Sequence, residues 1–99
     1  MMDIANSESQ YRFEVHRDEG VAVLVYELRD DTIVLVHTEV PKPLEGQGYG
    51  AALVRAAVEY ARQHHLRVVP ICPFARAYLR RHPDYADRVN GAASDEASR

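Results

Sequence analysis

The sequence predicts an α/β domain of the α+β kind, an antiparallel meander continued by a β-α-β-α unit with helices packed on a mixed sheet. Three observations carry that reading. Apolar residues alternate with period two through much of the first 40 residues. Three glycines at alternate positions, Gly46, Gly48 and Gly50, then break the pattern. Beyond them the apolar spacing becomes helical, returns to a short strand and becomes helical again.

Taken in order, residues 1–9 are polar and read as a disordered N-terminus. From Tyr11 the chain alternates, with Tyr11, Phe13 and Val15 on one side and Arg12, Glu14 and His16 on the other. Asp18-Glu19-Gly20 is a turn in which glycine supplies a positive φ. Val21–Leu28 is rich in β-branched residues and predicts a central strand. Asp30-Asp31 turns the chain into a third strand, Thr32–Val40, with Ile33, Leu35, His37 and Glu39 on one face and Val34, Val36, Thr38 and Val40 on the other. Pro41-Lys42-Pro43 ends the sheet register. A helix follows from about Tyr49 to His65, with Tyr49, Leu53, Ala56, Ala57, Tyr60 and His64 on one stripe and Arg55, Glu59, Arg62 and Gln63 opposite. Leu66–Ile71 is a short fourth strand. Its Pro70 donates no ladder bond, which predicts a splayed or unpaired side. Pro73 suits the first position of a second helix reaching about Arg81, ended by His82-Pro83, and Asp84 caps a last turn over Tyr85–Val89. The domain thus spans 10–90, and residues 91–99 read as a disordered C-terminus.

A chain of 99 residues makes one domain. Its formal charge of −3 gives no general attraction to nucleic acid or an anionic membrane. No apolar run approaches the roughly 20 residues a membrane-spanning helix needs. The start MMDIANSESQ lacks the basic and apolar regions of a signal peptide. Cys72 is the single cysteine, so an internal disulfide is excluded, which suits a reducing cytoplasm. His64, His65, Cys72 and His82 lack structural-zinc spacing, and no metal is expected.

The stretch PLEGQGYGAAL places the glycines directly before the helix. Unpaired amides at a helix N-terminus, backed by the helix dipole, form an anion cradle, and glycines allow close backbone approach to phosphate oxygens. A P-loop requires Lys and then Ser or Thr after its last glycine, but Ala51 and Ala52 follow Gly50. Gly46-x-Gly48-x-x-Ala51 matches the loose dinucleotide fingerprint, yet it follows an antiparallel meander and lacks an acidic ribose ligand about 20 residues later.

Together, HTEVPKPLEGQGYGAALV, YAR, VVPICPF and HPDY resemble the GNAT superfamily of N-acetyltransferases. More narrowly they resemble its minimal single-domain branch, which has a cysteine after the fourth strand. The resemblance covers about residues 11–89. It implies that the loop Glu45, Gly46, Gln47, Gly48, Tyr49, Gly50 and Ala51 holds the pyrophosphate of acetyl-CoA through backbone amides. It also implies that the strand ending at Val40 pairs with the pantetheine arm where the sheet splays. Glu45 departs from the Gln or Arg usual at the loop's start, so its carboxylate must point away from the phosphates, or affinity falls.

Acetyl transfer to an amine needs a base, an oxyanion donor and a proton for the departing thiolate. Glu39 is a candidate base or a solvated strand-end carboxylate, and His37 shares the cleft or packs against the helix. Cys72, as the N-cap before Pro73, would have a thiol activated by helix amides; alternatively it is a small core residue. The resemblance makes Cys72 a candidate acetyl carrier. It also places Tyr78 where GNAT proteins carry the tyrosine that protonates the thiolate, although the position equally suits core packing. Arg76, Arg80 and Arg81 form a solvated face, one of them a candidate partner for the 3′-phosphate of CoA.

The expected function is therefore acetyl-CoA-dependent N-acetyltransfer to an unidentified amine acceptor. The alternative is a non-catalytic acyl-CoA-binding or sensing module, since the short meander omits a helical segment that builds much of the acceptor site in larger members. A cysteine hydrolase using Cys72 with a histidine, a thioesterase for instance, is the third reading, although the spacing of Cys72 and His82 does not establish a dyad.

Overall fold

The meander is longer by one strand than the alternation predicts. Residues 3–85 and 87–89 are described in the computed structural model; the tail predicted to be disordered, 91–99, lies outside them. Strands β1 (Ala5–Ser7), β2 (Arg12–Arg17), β3 (Gly20–Arg29), β4 (Thr32–Glu39) and β5 (Arg67–Pro70) form one sheet in chain order. The first four run antiparallel, and β4 pairs with β5 in parallel. Helix α1 (Tyr49–Gln63) makes the crossover and α2 (Pro73–Arg80) follows β5. The mixed sheet with two packed helices is the predicted fold class.

β1 corrects the reading of residues 1–9 as wholly disordered. Its sequence, ANS, has no alternating apolar signal, so only pairing across the sheet reveals it. Ala5 and Ser7 lie opposite Glu14 and Arg12, and the buried Tyr26 hydroxyl donates to Asn6 Oδ1 at 2.7 Å. Tyr11 is not a strand residue but takes a left-handed φ of 56° in the preceding turn.

One face of the sheet and both helices close a single core. Phe13, Val15, Ala22, Leu24, Tyr26, Ile33, Leu35 and Val68 meet Leu53, Val54, Ala57, Val58, Ala61, Ala75 and Leu79. The buried stripe of α1 is wider than predicted and rotated toward Val54, Val58 and Ala61, because the helix crosses β2 through β5 and also touches α2. The helix stops at Gln63, two residues before the predicted end. His65 turns left-handed (φ 57°), and the Leu66 amide donates back to the Ala61 carbonyl. Arg62, expected on a solvated face, donates to the Asp84 carbonyl (2.8 Å) and to Asp87 Oδ1 (2.9 Å). It thereby fastens the last turn, from which Val89 bridges to Val68 of β5.

The second face carries no helix among the described residues. Arg12, Glu14 and His16 of β2 lie opposite Val25, Val23 and Val21 of β3, which in turn face His37 and Glu39 of β4. Glu14, predicted to be on the polar side, is only 7% exposed there. The His16 ring (2.8 Å) and the Arg12 guanidinium bind its two oxygens and hold its carboxyl below the ordinary 4.5, against the opposing effect of burial. A lowered folded-state pKa contributes stability above the unfolded value and loses it as pH falls through the folded value. Glu14→Gln is therefore expected to cost about 1 kcal/mol at neutral pH. The gap from wild type should close in denaturation curves taken at successively lower pH below 4.5. A constant gap would show that the carboxylate charge is not its source.

Candidate functional site

β4 brings the site together by breaking its own alternation. On β3, Val25 and Tyr26 are consecutive, but their partners on β4 are His37 and Leu35. Val36 is thus an extra residue, a β-bulge that reverses which side the following residues face. Ile33 and Leu35 face the core, and beyond the bulge Thr38 and Val40 take over the helix side. His37 and Glu39 turn to the open face, their side chains 58% and 72% exposed and 3.8 Å apart. Grouping all four of Ile33, Leu35, His37 and Glu39 on one face is corrected by this bulge.

The predicted splay is present. The β4–β5 ladder ends at Leu35↔Pro70, while β4 continues to Glu39. The Leu35 carbonyl accepts both the Ile71 and Cys72 amides (3.1 and 2.9 Å), turning the chain away into α2. The edge of β4 after Leu35 is therefore left without a β5 partner.

A cavity of about 390 Å³ adjoins that edge. Thr38 and Val40 line one side, and Leu44, Glu45, Gly46, Gly48, Tyr49, Gly50 and Ala51 form the loop and first helical turn. Phe74 of α2 completes the wall. Gln47, of the predicted loop residues, is not in the lining; its side chain donates to the Pro43 carbonyl at 3.0 Å and stiffens the turn. Glu45 remains in the lining as an exposed residue. Among the described residues, no backbone or side-chain acceptor meets the amides of residues 46–51, six in succession, and no side chain caps the helix. Such a run of free donors at a helix start is suited to an anion.

The three glycines serve three needs. Gly48 is the helix N-cap with φ 87°, and Gly46 has φ 80° with open space where a Cβ would project. Both conformations disfavour residues with a Cβ. Gly50 is helical instead, and a Cβ there would lie 2.8 Å from Phe74 Cζ. Alanine at 50 would favour the helix by up to about 1 kcal/mol, so Gly50→Ala is expected to leave stability nearly unchanged. It should swing the Phe74 ring, now 43% exposed, toward the cavity. If the cavity takes CoA, as the resemblance implies, titration calorimetry should show that binding weakened by roughly three- to tenfold, a little over 1 kcal/mol at most. Gly50→Ala/Phe74→Ala should bind more tightly than Gly50→Ala alone; equal weakening would remove Phe74 from the site.

Cys72 is the N-cap of α2, as Pro73 predicts, but its thiol does not cap the helix. It is 3% exposed, and Sγ lies 3.3 Å from Thr38 Oγ1, joining the start of α2 to the cavity wall. His82 does not approach it; its Nδ1 meets the Tyr78 carbonyl at 2.7 Å and its ring stacks on Tyr78 at 3.9 Å. Tyr78 is buried beside α1, its hydroxyl accepting from Arg55 Nη1 at 3.5 Å, and is not in the cavity lining. Among the described residues, Cys72 is the one of the three catalytic candidates whose side chain hydrogen-bonds a cavity-lining side chain, that of Thr38. Thr38, Leu44 and Phe74 escaped the sequence reading. The proline turn at 41–43 was the available signal for Leu44, whereas no local pattern marks Thr38 or Phe74.

A mixed sheet splayed beside a glycine-rich helix start defines the acyltransferase class of fold to which GNAT proteins belong. The chain belongs to the GCN5-related N-acetyltransferase family, whose model it matches over residues 12–88. It is 28% identical over 83 residues to Protein NATD1 of Danio rerio, a match covering 81% of this chain and 76% of that protein. It is 34% identical over 71 residues to Protein NATD1 of Homo sapiens, covering 69% of this chain and 63%, just under two thirds, of the relative. A Staphylococcus aureus structure solved by NMR, described as a GCN5-like candidate N-acetyltransferase, superposes with a TM-score of 0.73 at 33% identity. That match covers 91% of this chain and 89% of the other.

Proposed function

We propose that this domain transfers the acetyl group of acetyl-CoA to a primary amine. The observation carrying the reading is the run of six free amides, 46–51, on a cavity that reaches the unpaired edge of β4. The amides bind phosphate oxygens, and the edge offers backbone partners to an extended, amide-bearing arm. When bound, acetyl-CoA supplies an activated thioester. The acceptor approaches from the open sheet face, because α1 and α2 cover the other. Glu39, exposed at the end of β4, stands on that face as the group that takes a proton from the incoming ammonium. Thr38, not Tyr78, presents a hydroxyl to the cavity, so in this reading Thr38 donates to the developing negative charge. Cys72, behind Thr38, is either an acetyl carrier or the support that orients that hydroxyl. The single buried thiol is in keeping with the reducing cytoplasm, where we place the protein.

A second reading, acyl-CoA binding without transfer, is favoured by one observation: Glu39 and Tyr78 both lie outside the cavity lining. Release of free CoA thiol from acetyl-CoA, measured with and without lysine, spermidine or a peptide N-terminus, separates the two. Transfer predicts amine-dependent release, a tenfold or greater loss in Glu39→Gln, and an acetylated amine by mass spectrometry. Tight CoA binding with no release at any amine concentration would establish the binding module. A hydroxylamine-labile acetyl group on the Ile71-Cys72-Pro73 peptide, absent in Cys72→Ser, would make Cys72 the carrier. Near-normal turnover in Cys72→Ser would leave direct transfer.

A further inference from the structure

The open face of the sheet surrounds the end of β4 with apolar side chains. Val23 is the cross-strand partner of Glu39 and Val25 that of His37, and Val21 continues their row, 37% exposed. On the other flank Val68 and Pro70 are buried, so Val69 belongs to the open face, and Ile71, 50% exposed, follows it beside the splay. The His37–Glu39 pair therefore has hydrocarbon on both sides.

Charge narrows the occupant further. Glu14 lies two strand spacings from Glu39, about 10 Å across β3. Both of its oxygens are taken, by Arg12 and His16. Glu27, further along β3 on the same face, is paired with Arg29 at 2.8 Å. Glu39 has only the His37 ring near it, at 3.8 Å, among the described residues. A polyamine brings several cations and would find one free strand carboxylate here. Arg12 bonds Glu14 through Nε alone, so its terminal nitrogens are left to donate to a carbonyl. Three to four extended residues cover the roughly 12 Å diagonal from Glu39 to Arg12. An α-ammonium, with an ordinary pKa of about 7.7–8.0, also yields its proton more readily than a lysine ammonium at about 10.4. That suits a base as exposed as Glu39.

Resting on the transfer reading above, we infer that the acceptor is the α-amine of a peptide whose first residues are apolar, laid in extended form from Glu39 across β3 toward Arg12. Its apolar side chains rest on Val21 and Ile71. The ammonium and the thioester give the N-acetyl peptide, CoA thiol and one proton. Glu39 takes that proton, the nitrogen–carbon bond forms, the carbon–sulfur bond breaks, and a second proton from nitrogen ends on sulfur.

Release of CoA thiol from acetyl-CoA tests the inference, with glycinamide, valinamide, an amidated tetrapeptide beginning Val-Ile, an N-terminally blocked lysine peptide and spermidine as acceptors. The tetrapeptide is expected to exceed glycinamide roughly tenfold or more in kcat/KM, from burial of its apolar side chains. It should exceed valinamide by about threefold, because only the longer chain reaches Arg12. Val21→Ser and Ile71→Ser should each raise KM for the tetrapeptide by roughly threefold or more. Neither should change the glycinamide rate, the melting temperature by more than a few degrees, or CoA affinity by titration calorimetry. Without acetyl-CoA, the tetrapeptide should move NMR amide signals of β3 and β4. Preference for spermidine or the blocked lysine peptide would overturn this inference while leaving acetyl transfer intact. So would equal rates with valinamide and the tetrapeptide, a KM unmoved in both serine variants, or signals that move only on α1 and α2. CoA binding with no turnover of any amine would overturn the transfer reading and this inference with it.

Discussion

If CoA binds as proposed, it should raise the melting temperature of the wild type, and Gly48→Val is expected to abolish that rise. A ligand that binds only the folded state stabilises it by RT ln(1 + [L]/Kd), about 2.7 kcal/mol at a concentration 100 times Kd. At roughly 4–8 °C per kcal/mol for a domain this small, the wild-type shift should exceed 10 °C. Valine at 48 must hold φ 87° with a branched Cβ in the middle of the run of free amides. Its intrinsic cost, about 1–3 kcal/mol from the strained backbone, lowers the starting melting temperature. Gly48→Asn separates the two effects, because asparagine tolerates the left-handed region. That variant should melt close to wild type and still show weakened stabilisation by CoA. An undiminished CoA shift in Gly48→Val would remove the loop from the binding site.

Leu35→Ala should give the largest loss of stability, with the opposite signature. Leu35 is fully buried, and its backbone forms the last rung between β4 and β5. Truncating a buried isobutyl side chain to methyl costs about 2–5 kcal/mol, from lost transfer energy and the residual cavity. Domains of this size have total stabilities on the order of 5–15 kcal/mol, so the loss is a large share. Its carbonyl still accepts the Ile71 and Cys72 amides, because that contact belongs to the backbone. Urea denaturation should show a lower midpoint with an unchanged slope. Saturating CoA should restore part of the loss, since the glycine loop is untouched. A loss below 1 kcal/mol would mean that the core around the splay relaxes to fill the space.

The glycine loop was the clearest functional signal in the chain because its requirement is local. Gly46 and Gly48 are written into the sequence by positive φ, and the helix start beside them follows from the next residues alone. Pro70 announced the end of the β4–β5 ladder for a similar reason: a residue without an amide hydrogen cannot donate wherever it is placed. Gly50 was misread in part. Nothing in its neighbours shows that a phenylalanine 24 positions later rests against it.

The sequence by itself determined the order of the elements from β2 onward, the turn chemistry and the positive-φ glycines before the helix start, all set by backbone preferences within a few residues. Tertiary structure alone decided which side chains meet there. The bulge at Val36 arises from pairing β3 against β4 and turns Thr38 inward and Glu39 outward, reversing what strict alternation predicts. The packing of α2 against α1 sends Tyr78 to Arg55, brings Phe74 to the cavity and sets the Cys72 thiol beside Thr38. β1 likewise exists because β2 offers an edge and Tyr26 a hydroxyl, neither of which its own three residues encode. These are contacts between distant segments, and period and propensity describe only near ones.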